Sequence, residues 1–239
     1  MTRSFDFNRA LVQKYDLPGP RYTSYPTAPQ FHQAFAVDDY QQAAAASNQA
    51  ATPKPLSLYI HIPFCKSLCY YCACNKIITR KTHRADEYLS YLKREIAMQA
   101  ALFDRSRTLT QLHLGGGTPT YLTREQLADL MDCLHQAFVM DDSDNHEFSI
   151  EVDPRTIDTE QIQALRRLGF NRLSFGVQDF DADVQAAVNR VQSEEQIYAL
   201  VAAARAARFK SVSVDLIYGL PLQTQDSFAV TLDKIIALR

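Results

Sequence analysis

Four cysteines gathered in one short stretch are the residues of this sequence best suited to metal chemistry. They are Cys65, Cys69, Cys72 and Cys74, while Cys133 stands alone. The first three leave gaps of three and two residues, so one loop could present three sulfurs to a single inorganic core. Soft thiolates at this spacing suit zinc or an iron–sulfur cluster. A cluster held by three thiolates would keep one iron open for a further ligand.

Zinc and oxidised thiols are the alternatives to a cluster. A structural zinc site would use all four cysteines of the stretch. However, Cys72 and Cys74 are separated by one residue, which is awkward for two ligands of one tetrahedral ion. A disulfide is also open, although nothing marks the chain as secreted. We favour the cluster, and we expect Cys133 to be a small buried apolar residue of a helix.

Strand and helix patterns alternate five times after residue 55. Strands are predicted at 56–62, 109–114, 148–152, 172–177 and 212–218. Helices are predicted at 85–103, from 123, at 158–168, from 193 and around 228–236. Thr123 with Gln126 and Ser193 with Gln196 are predicted capping boxes, and Gly169 is a predicted helix stop. Five consecutive βα units predict an α/β fold with a parallel sheet and helices outside it.

Chemically useful residues fall at or near the carboxyl end of each predicted strand. They are the cysteine loop, Gly115–Pro119, Glu151, Gln178 and Asp215. Barrel enzymes build active sites at the carboxyl ends of their parallel strands, so this placement favours a partial (β/α) barrel with its site at that edge. The alternatives are a tight turn for the glycines and satisfied strand-end carboxylates for the two acids.

Two further candidates have strong ordinary alternatives. His61 alternates with apolar neighbours on the first strand, where a histidine is more often a core residue with satisfied nitrogens. It could instead act catalytically, as a proton donor or a hydrogen-bond donor to the cluster. Arg190 could bind a carboxylate through its planar guanidinium, but taken alone it is more often a surface charge.

Residues 1–55 are predicted to form an N-terminal arm and linker, and residues 56–239 the barrel. Prolines 18, 20 and 26 exclude regular helix around them. A short helix is predicted at 38–47, before a Pro-Lys-Pro linker at 53–55.

Composition narrows the possible partners. The net charge of the 239 residues is -2, which argues against binding nucleic acid through bulk charge. No apolar run reaches the length of a membrane span, and no signal peptide opens the sequence. We expect a cytoplasmic monomer without nucleic-acid or membrane partners, since a reducing compartment suits an oxygen-sensitive cluster.

The loop Cys65-x-x-x-Cys69-x-x-Cys72 after a buried strand resembles that of the radical S-adenosylmethionine (SAM) superfamily. The resemblance implies a [4Fe–4S] cluster on these three cysteines, with SAM chelating the open iron. The cofactor would supply a 5′-deoxyadenosyl radical, while the protein binds, orients and shields. Six βα units are usual in that superfamily, so we expect a chain with five to belong to a longer protein.

Longer stretches resemble one family within it, the oxygen-independent coproporphyrinogen III oxidases. They are 14–27, 59–65, Cys74, 115–120, 151–154, 176–180 and 215–221. The resemblance implies oxidative decarboxylation of two propionates of coproporphyrinogen III to vinyl groups, which gives protoporphyrinogen IX. It also implies two SAM molecules and an external electron donor.

By position, this resemblance assigns roles to most of the candidates. Cys74 would not be a ligand, and the SAM at the cluster would contact Tyr59, Gly116 and Glu151. A second SAM would contact Tyr71, Gly117, Thr118, Gln178, Arg190 and Asp215. Position 71 is commonly Phe in that family, and Tyr should keep the stacking surface.

Two other classes of protein remain as alternatives. A related haem chaperone shares the barrel and the three cluster cysteines, but it lacks the Arg-Tyr-Thr-Ser-Tyr-Pro arm, residues 21–26 here, and usually the fourth cysteine. A zinc-stabilised interaction module would need no SAM at all.

Overall fold

The computed structural model describes residues 7–17 and 27–238. The chain divides into two units, Met1–Ala46 and Ser47–Arg239. The proline-rich stretch predicted to form an ordered arm, at 18–26, lies outside the described residues.

Two helices belong to the amino-terminal part of the chain. Helix α1 (Arg9–Tyr15) begins at Asn8, whose side-chain oxygen accepts a hydrogen bond of 3.0 Å from the Leu11 amide. Helix α2 (Val37–Asn48) carries two acidic residues in its first turn, where negative charge is favourable beside the positive end of the helix dipole. The helix predicted at 38–47 is therefore confirmed.

Parallel strands form the framework of the second unit. In chain order they are β1 (Leu56–Ile62), β2 (Phe64–Cys65), β3 (Ile77–Ile78), β4 (Thr108–Gly116), β5 (Val139–Met140), β6 (Glu147–Val152), β7 (Arg172–Gln178) and β8 (Ser211–Leu216). The main sheet has the order β1-β4-β6-β7-β8, with every pair parallel, and the short β5 pairs with the start of β4. All five predicted strands are present and are neighbours in the predicted sequence order.

Helices connect these strands. They are α3 (His83–Ala100), α4 (Arg124–Ala137), α5 (Thr159–Arg167), α6 (Ala182–Ala187), α7 (Glu194–Ala206) and α8 (Gln225–Ala237). The predicted capping box of Thr123 and Gln126 is present at the start of α4. Gly169 follows α5 with a φ of 97°, as expected for a residue that ends a helix in the left-handed region.

One capping prediction is half wrong. The Ser193 hydroxyl accepts a hydrogen bond from the Gln196 amide at the start of α7. The Gln196 side chain, however, donates to the carbonyl oxygen of Pro154 at 2.8 Å and does not complete the box. The side-chain amide of Gln196 therefore binds a residue outside α7, and this partner could not be predicted from the sequence of the helix alone.

Two other local predictions need correction. The fifth strand ends at Leu216, not at Tyr218, because the chain turns there and the Gly219 amide donates to the side chain of Gln223. Helix α6 was not predicted, although Asp181 caps it by accepting from two amides of its first turn.

Burial alternates along the central strands. In β6, Phe148, Ile150 and Val152 are buried, while the residues between them are only half-buried. Since side chains alternate between the faces of a strand, one face packs against helices and the opposite face carries polar groups. This alternation places Glu151 on the polar face.

The apolar core lies between the sheet and helices α3, α4, α5 and α7. Phe170, Phe175 and Ile150 are among its fully buried side chains. Cys133 is half-buried and packs against this core, so it is less enclosed than the sequence predicted. Among the described helices, none is both long and apolar enough to cross a bilayer.

Candidate active site at the carboxyl edge of the sheet

A cavity of about 160 Å³ lies where the carboxyl ends of the sheet strands meet the cysteine loop. Most of the predicted site residues line it. They are Cys65, Cys69, Tyr71, Cys72, Gly116, Gly117, Thr118, Glu151, Gln178, Arg190 and Asp215. Tyr59 and His61, the other two predicted residues, are not part of that lining.

The cysteine loop is closed by backbone hydrogen bonds. Strands β2 and β3 form a small parallel pair at its two ends, with Cys65 opposite Ile78. The Thr79 amide donates to the Cys65 carbonyl at 2.9 Å, and the Cys72 amide donates to the Cys69 carbonyl at 3.1 Å. The loop therefore holds its three sulfur-bearing residues on a fixed backbone beside the sheet edge.

The cysteines of the loop differ in their surroundings. Cys69 is buried, and Cys65 is half-buried with its Sγ 3.3 Å from the Thr118 hydroxyl. Cys74 is exposed, and Lys76 donates hydrogen bonds to the carbonyls of Cys72 and Cys74. Burial raises the pKa of the Cys65 thiol, although the Thr118 hydroxyl opposes this rise.

Three cysteines of one loop face this cavity, and their chemistry suits an iron–sulfur cluster. Cys65, Cys69 and Cys72 all line it, and thiolates are the usual ligands of a [4Fe–4S] cluster. Within the described ranges, no group of three His, Cys, Asp or Glu side chains is arranged to hold a single metal ion. Three cysteine ligands would leave one iron of such a cluster open for a further ligand.

The glycine loop after β4 approaches the cysteine loop so closely that side chains are excluded. A Cβ on Gly117 would lie 2.7 Å from the Pro63 carbonyl oxygen and 3.0 Å from Cys65 Sγ. Gly116 has a φ of 124°, and a Cβ there would lie 2.8 Å from the Ile62 oxygen. These glycines are needed for contact between two backbones, and the Gly117 amide donates to the Ile62 carbonyl across that contact at 2.9 Å.

Glu151 is held by groups on the neighbouring strand. Its Oε2 accepts a hydrogen bond of 3.2 Å from the Gly116 amide. Its Oε1 lies 3.3 Å from Nε2 of His113, and Nδ1 of His113 lies 2.6 Å from the Ser149 hydroxyl. The carboxylate thus has a fixed orientation at the cavity. His113 was missed in the sequence, although its two-residue spacing from Gly115 places it on the same strand face as the glycine loop.

Tyr59 and His61 form a separate polar pair on β1. The Tyr59 hydroxyl lies 3.0 Å from His61 Nδ1, and His61 Nε2 lies 2.9 Å from the Asn75 carbonyl oxygen. The Tyr59 ring stacks on that of His113 at a centroid distance of 5.7 Å. Both nitrogens of His61 therefore have protein partners, as the ordinary interpretation of this histidine expects, and its catalytic role stays a prediction.

The ends of β7 and β8 contribute Gln178 and Asp215. Gln178 has a φ of 69° and lies at a register shift between the two strands. Asp215 lies opposite Gly176, and its carboxylate accepts a hydrogen bond of 2.9 Å from the Ser174 hydroxyl. A left-handed backbone at a residue other than glycine or asparagine is uncommon, and here it accompanies a bulge that aims the strand ends at the cavity.

Arg190 is buried and is not the surface charge that composition alone would favour. It is 7% exposed, and its Nη2 donates to the Gly176 carbonyl at 2.6 Å. Its Nη1 lies 3.5 Å from Cys69 Sγ and 3.4 Å from an Asp153 oxygen. Its Nε has no hydrogen-bond partner among the described residues. A guanidinium that lines a cavity and carries a positive charge at this burial can bind an anionic ligand.

Tyr71 joins the cavity to a second, smaller apolar cluster. Its ring packs against Val184, Val188 and Leu220. Burial raises the pKa of Tyr71 well above its ordinary value, although the charge of Arg190 opposes this. The phenol therefore stays neutral, and the ring offers an apolar surface at the wall of the cavity.

Asp153 and Arg155 also line the cavity, and the sequence analysis did not single them out. Burial alone would raise the pKa of Asp153, but hydrogen bonds from Arg155 and the charge of Arg190 outweigh it and hold that pKa below its usual range. Burial would lower the pKa of Arg155, and Asp153 reverses that effect. Both groups are therefore ionised. Asp153 is two positions after Glu151, in the stretch 151–154. Its position at the end of a predicted strand was the sequence feature that could have identified it.

A family model and several relatives match this chain. The model of the radical SAM superfamily matches residues 59–235. An oxygen-independent coproporphyrinogen III oxidase of Pseudomonas aeruginosa is 51% identical over 229 residues, which are 96% of this chain and 49% of the relative. The protein of the same name from Escherichia coli is 51% identical over 236 residues, covering 99% of this chain and 50% of the relative. The chain spans about half the length of the curated relatives it matches.

Solved structures resemble the fold. The structure of coproporphyrinogen III oxidase from Escherichia coli, described as a radical SAM enzyme, matches with a TM-score of 0.87 at 50% identity, over 99% of this chain and 51% of that one. A cobalamin-binding radical SAM methyltransferase from Kitasatospora setae matches with a TM-score of 0.51 at 14% identity, over 77% of this chain and 34% of that one. The second likeness concerns the fold alone.

The residues matched by the family model include the elements that form the cavity. The matched residues begin at Tyr59 on β1 and run through the cysteine loop to the last helix. The predicted α/β fold of radical SAM type is confirmed, and the zinc alternative is not supported. A [4Fe–4S] cluster and SAM are the characteristic cofactors of the matched family. With a family model over most of its length and a cysteine-rich loop at the carboxyl edge of a parallel sheet, the chain belongs to the radical SAM superfamily.

Proposed function

We propose that this chain carries the cluster and SAM site of an enzyme for oxidative decarboxylation of coproporphyrinogen III to protoporphyrinogen IX. The observation that carries the proposal is the single cavity in which three loop cysteines meet the glycine loop, Glu151 and Arg190. The identity of 51% to two coproporphyrinogen III oxidases supports the choice of substrate. The proposal places this step in porphyrin and haem biosynthesis.

Each residue of the cavity has a role in this proposal. Cys65, Cys69 and Cys72 hold the cluster, and Cys74 stays free. When bound, the cluster and SAM supply a 5′-deoxyadenosyl radical. The Gly116 backbone and Glu151 orient the first SAM molecule, with Tyr59 at its edge. The residues proposed to contact a second SAM are Tyr71, Gly117, Thr118, Gln178, Arg190 and Asp215.

The chemistry makes clear what these residues must do. Converting a propionate to a vinyl group removes carbon dioxide, one hydrogen atom and one electron, and this happens twice per porphyrinogen. The chain has to bind two carboxylated ligands near one another and exclude water from a reactive carbon radical. Buried Arg190 suits the first task, and the apolar wall around Tyr71 suits the second.

The proposal includes a cellular setting. We infer a monomer in the cytoplasm. An external donor would supply the electrons, because a bound cluster would need one electron for each SAM that it cleaves. This setting would also protect an oxygen-sensitive cluster.

An anaerobic assay tests the proposal. The chain is reconstituted with iron and sulfide, alone and fused to the carboxyl-terminal half of the Escherichia coli relative, because relatives of that name are about twice as long. With SAM, reductant and coproporphyrinogen III, we expect 5′-deoxyadenosine together with decarboxylated porphyrinogen in the fused form. Cys69→Ser is the inactive control.

The haem chaperone is the competing outcome. If the fused protein binds haem stoichiometrically and leaves coproporphyrinogen unchanged, the proposed reaction is wrong. Formation of 5′-deoxyadenosine without any porphyrin product would point to a different substrate for the same site.

A further inference from the structure

Two guanidinium groups meet the sulfur of one loop cysteine. Arg155 Nη2 and Arg190 Nη1 each lie 3.5 Å from Cys69 Sγ, which is hydrogen-bonding distance for a sulfur acceptor. Cys69 is 8% exposed. No comparable pair of cations contacts Cys65 or Cys72 in the hydrogen bonds of the described residues. Cys69 is therefore distinguished by its charged surroundings.

Asp153 holds the two guanidiniums in place. Its carboxylate accepts from Arg155 Nε at 3.0 Å and from Arg155 Nη2 at 2.7 Å, and it also accepts from the Arg155 backbone amide. Arg190 Nη1 reaches the same carboxylate at 3.4 Å. A planar guanidinium bound through two donors has a fixed orientation, so the second N–H of Arg155 Nη2 is aimed at the sulfur.

The charge of this group is not balanced. Two guanidiniums and one carboxylate leave one net positive charge beside Cys69, and the side chains of Asp153, Arg155 and Arg190 are 8%, 21% and 9% exposed. Screening by water is weak at such burial, so the charge acts strongly on its neighbours.

From this arrangement we propose that Arg155, positioned by Asp153, tunes the reduction potential of the cluster held by Cys69. The inference rests on the proposed cluster site. Reduction adds one negative charge to the cluster, and both hydrogen bonds to a ligand sulfur and nearby positive charge favour the reduced form. Arg155 is a positioning residue in this role, because it acts through Cys69 and not on the substrate.

Redox titration of the reconstituted full chain, without SAM, tests the inference by following the spectrum of the cluster. Arg155→Gln removes one positive charge and its donor to Cys69. We expect the equilibrium constant for reduction to fall at least tenfold, which is about 59 mV for a one-electron couple. Asp153→Asn keeps one oxygen acceptor for Arg155 but removes the compensating negative charge, so the potential of this variant should rise. Opposite shifts from two contacting residues would not follow from a structural role alone.

Arg172→Gln is the matched control. Arg172 forms an ion pair of 2.9 Å with Glu147, and it begins β7 at the end opposite the cavity. Gln178 lies six positions further along this strand, a distance of roughly 20 Å. We expect its potential to match that of the unmodified chain.

Either of two results would overturn the inference. One is a reduction potential in Arg155→Gln equal to that in Arg172→Gln. The other is a potential in Asp153→Asn that is unchanged or lower than in the unmodified chain. If Arg155→Gln fails to retain iron, Asp153→Asn decides alone, by a rise or by its absence. Failure of the unmodified chain to form any cluster would instead refute the proposed function, so the two failures are distinguishable.

Discussion

Individual cysteines of the loop carry different predicted roles, and serine replacements separate them. We expect Cys65→Ser, Cys69→Ser and Cys72→Ser each to abolish cluster retention, because a hard alkoxide is a poor substitute for thiolate. Cys74 is exposed, and Cys74→Ser should keep the cluster. Iron and sulfide analysis after anaerobic reconstitution measures the cluster content of all four variants. Loss of iron in Cys74→Ser would overturn the ligand assignment.

Glu151 provides a second test at the residue scale. Its carboxylate holds the Gly116 amide and is proposed to accept hydrogen bonds from SAM. Bonds to a charged partner contribute about 1.5–3 kcal/mol, so Glu151→Ala should weaken SAM binding roughly ten- to a hundredfold without changing iron content. Equilibrium binding under anaerobic conditions measures it.

Two comparisons sharpen the Glu151 experiment. Glu151→Gln keeps an acceptor for Gly116 and should lose less affinity than Glu151→Ala. Glu147→Ala changes the same residue type at the opposite end of β6 and should bind SAM normally. Equal affinity in Glu151→Ala and the unmodified chain would return Glu151 to an ordinary strand-end carboxylate.

At the scale of elements, the approach of the glycine loop to the cysteine loop can be tested by adding one methyl group. Gly117→Ala would place a Cβ 2.7 Å from the Pro63 oxygen and 3.0 Å from Cys65 Sγ. Because a backbone oxygen cannot move aside alone, the cysteine loop must shift. We expect lower iron retention, measured per folded protein.

Gly219→Ala separates steric contact from general instability. Gly219 has a φ of 78°, and its added Cβ would meet no atom within 4 Å. This change should cost about 1–2 kcal/mol of stability through left-handed strain while iron retention stays normal. Normal iron retention in Gly117→Ala would contradict the prediction, because it would show that the two loops can move apart without weakening cluster binding.

The amino-terminal edge of the sheet depends on one buried amide. Asn171 is 1% exposed; its Oδ1 accepts from the Phe148 amide at 3.0 Å and its Nδ2 donates to the His146 carbonyl at 2.7 Å. Asn171→Ala leaves both backbone groups unpaired, and each such group costs about 1–3 kcal/mol. We expect a loss of at least about 2 kcal/mol in the free energy of unfolding by urea.

Asn171→Asp is the matched variant for this prediction. It keeps the acceptor for Phe148, but it loses the donor to His146 and buries an unpaired negative charge against that carbonyl oxygen, so its destabilisation at neutral pH should be at least that of alanine. Equal stability of Asn171→Ala and the unmodified chain would mean that water replaces the amide at this position.

For the whole molecule, a polar cluster between α7 and α8 predicts how stability depends on pH. Lys234 and Tyr198 both donate to the Glu194 carboxylate, at 2.5 and 2.6 Å. The hydrogen bond from Lys234, with that from Tyr198, lowers the pKa of Glu194, and the bond to Glu194 raises the pKa of Tyr198 to about 12.

The directions of the two pKa shifts define the pH range in which this cluster stabilises the fold. A carboxyl with a lowered folded pKa stabilises the protein above its unfolded pKa of about 4.3, and that contribution is lost as pH falls through the folded pKa. The raised pKa of Tyr198 gives a contribution that is full below its unfolded pKa of about 10 and is lost as pH rises towards 12.

Urea unfolding from pH 3 to 11 tests this window. The stability difference between the unmodified chain and Glu194→Gln should be largest between about pH 5 and 10 and should shrink at both ends. Its size should stay below about 1 kcal/mol, because the pair is partly exposed. Glu160→Gln, at a carboxylate that is 79% exposed, is the control. A difference independent of pH would show that Glu194 acts through packing and not through charge.

The sequence determined much of this protein by itself. The alternation of apolar residues, the Thr123 capping box and Gly169 predicted the order of strands and helices, because these signals depend only on residues a few positions apart. The spacing of Cys65, Cys69 and Cys72 predicted a loop with three thiolates for the same reason. Strand-end positions also identified most residues that line the cavity.

Only the tertiary structure decided which side chains from different strands meet. Arg155 and Arg190 both contact Cys69, although these residues stand 86 and 121 positions from it in the chain. His113 beside Glu151 depends on the register of β4 against β6. Such contacts depend on strand register and on how the loops close across the whole sheet. They cannot be predicted from the pattern of residues within one element. The charged surroundings of Cys69 could therefore be found only after the sheet had brought its strand ends together.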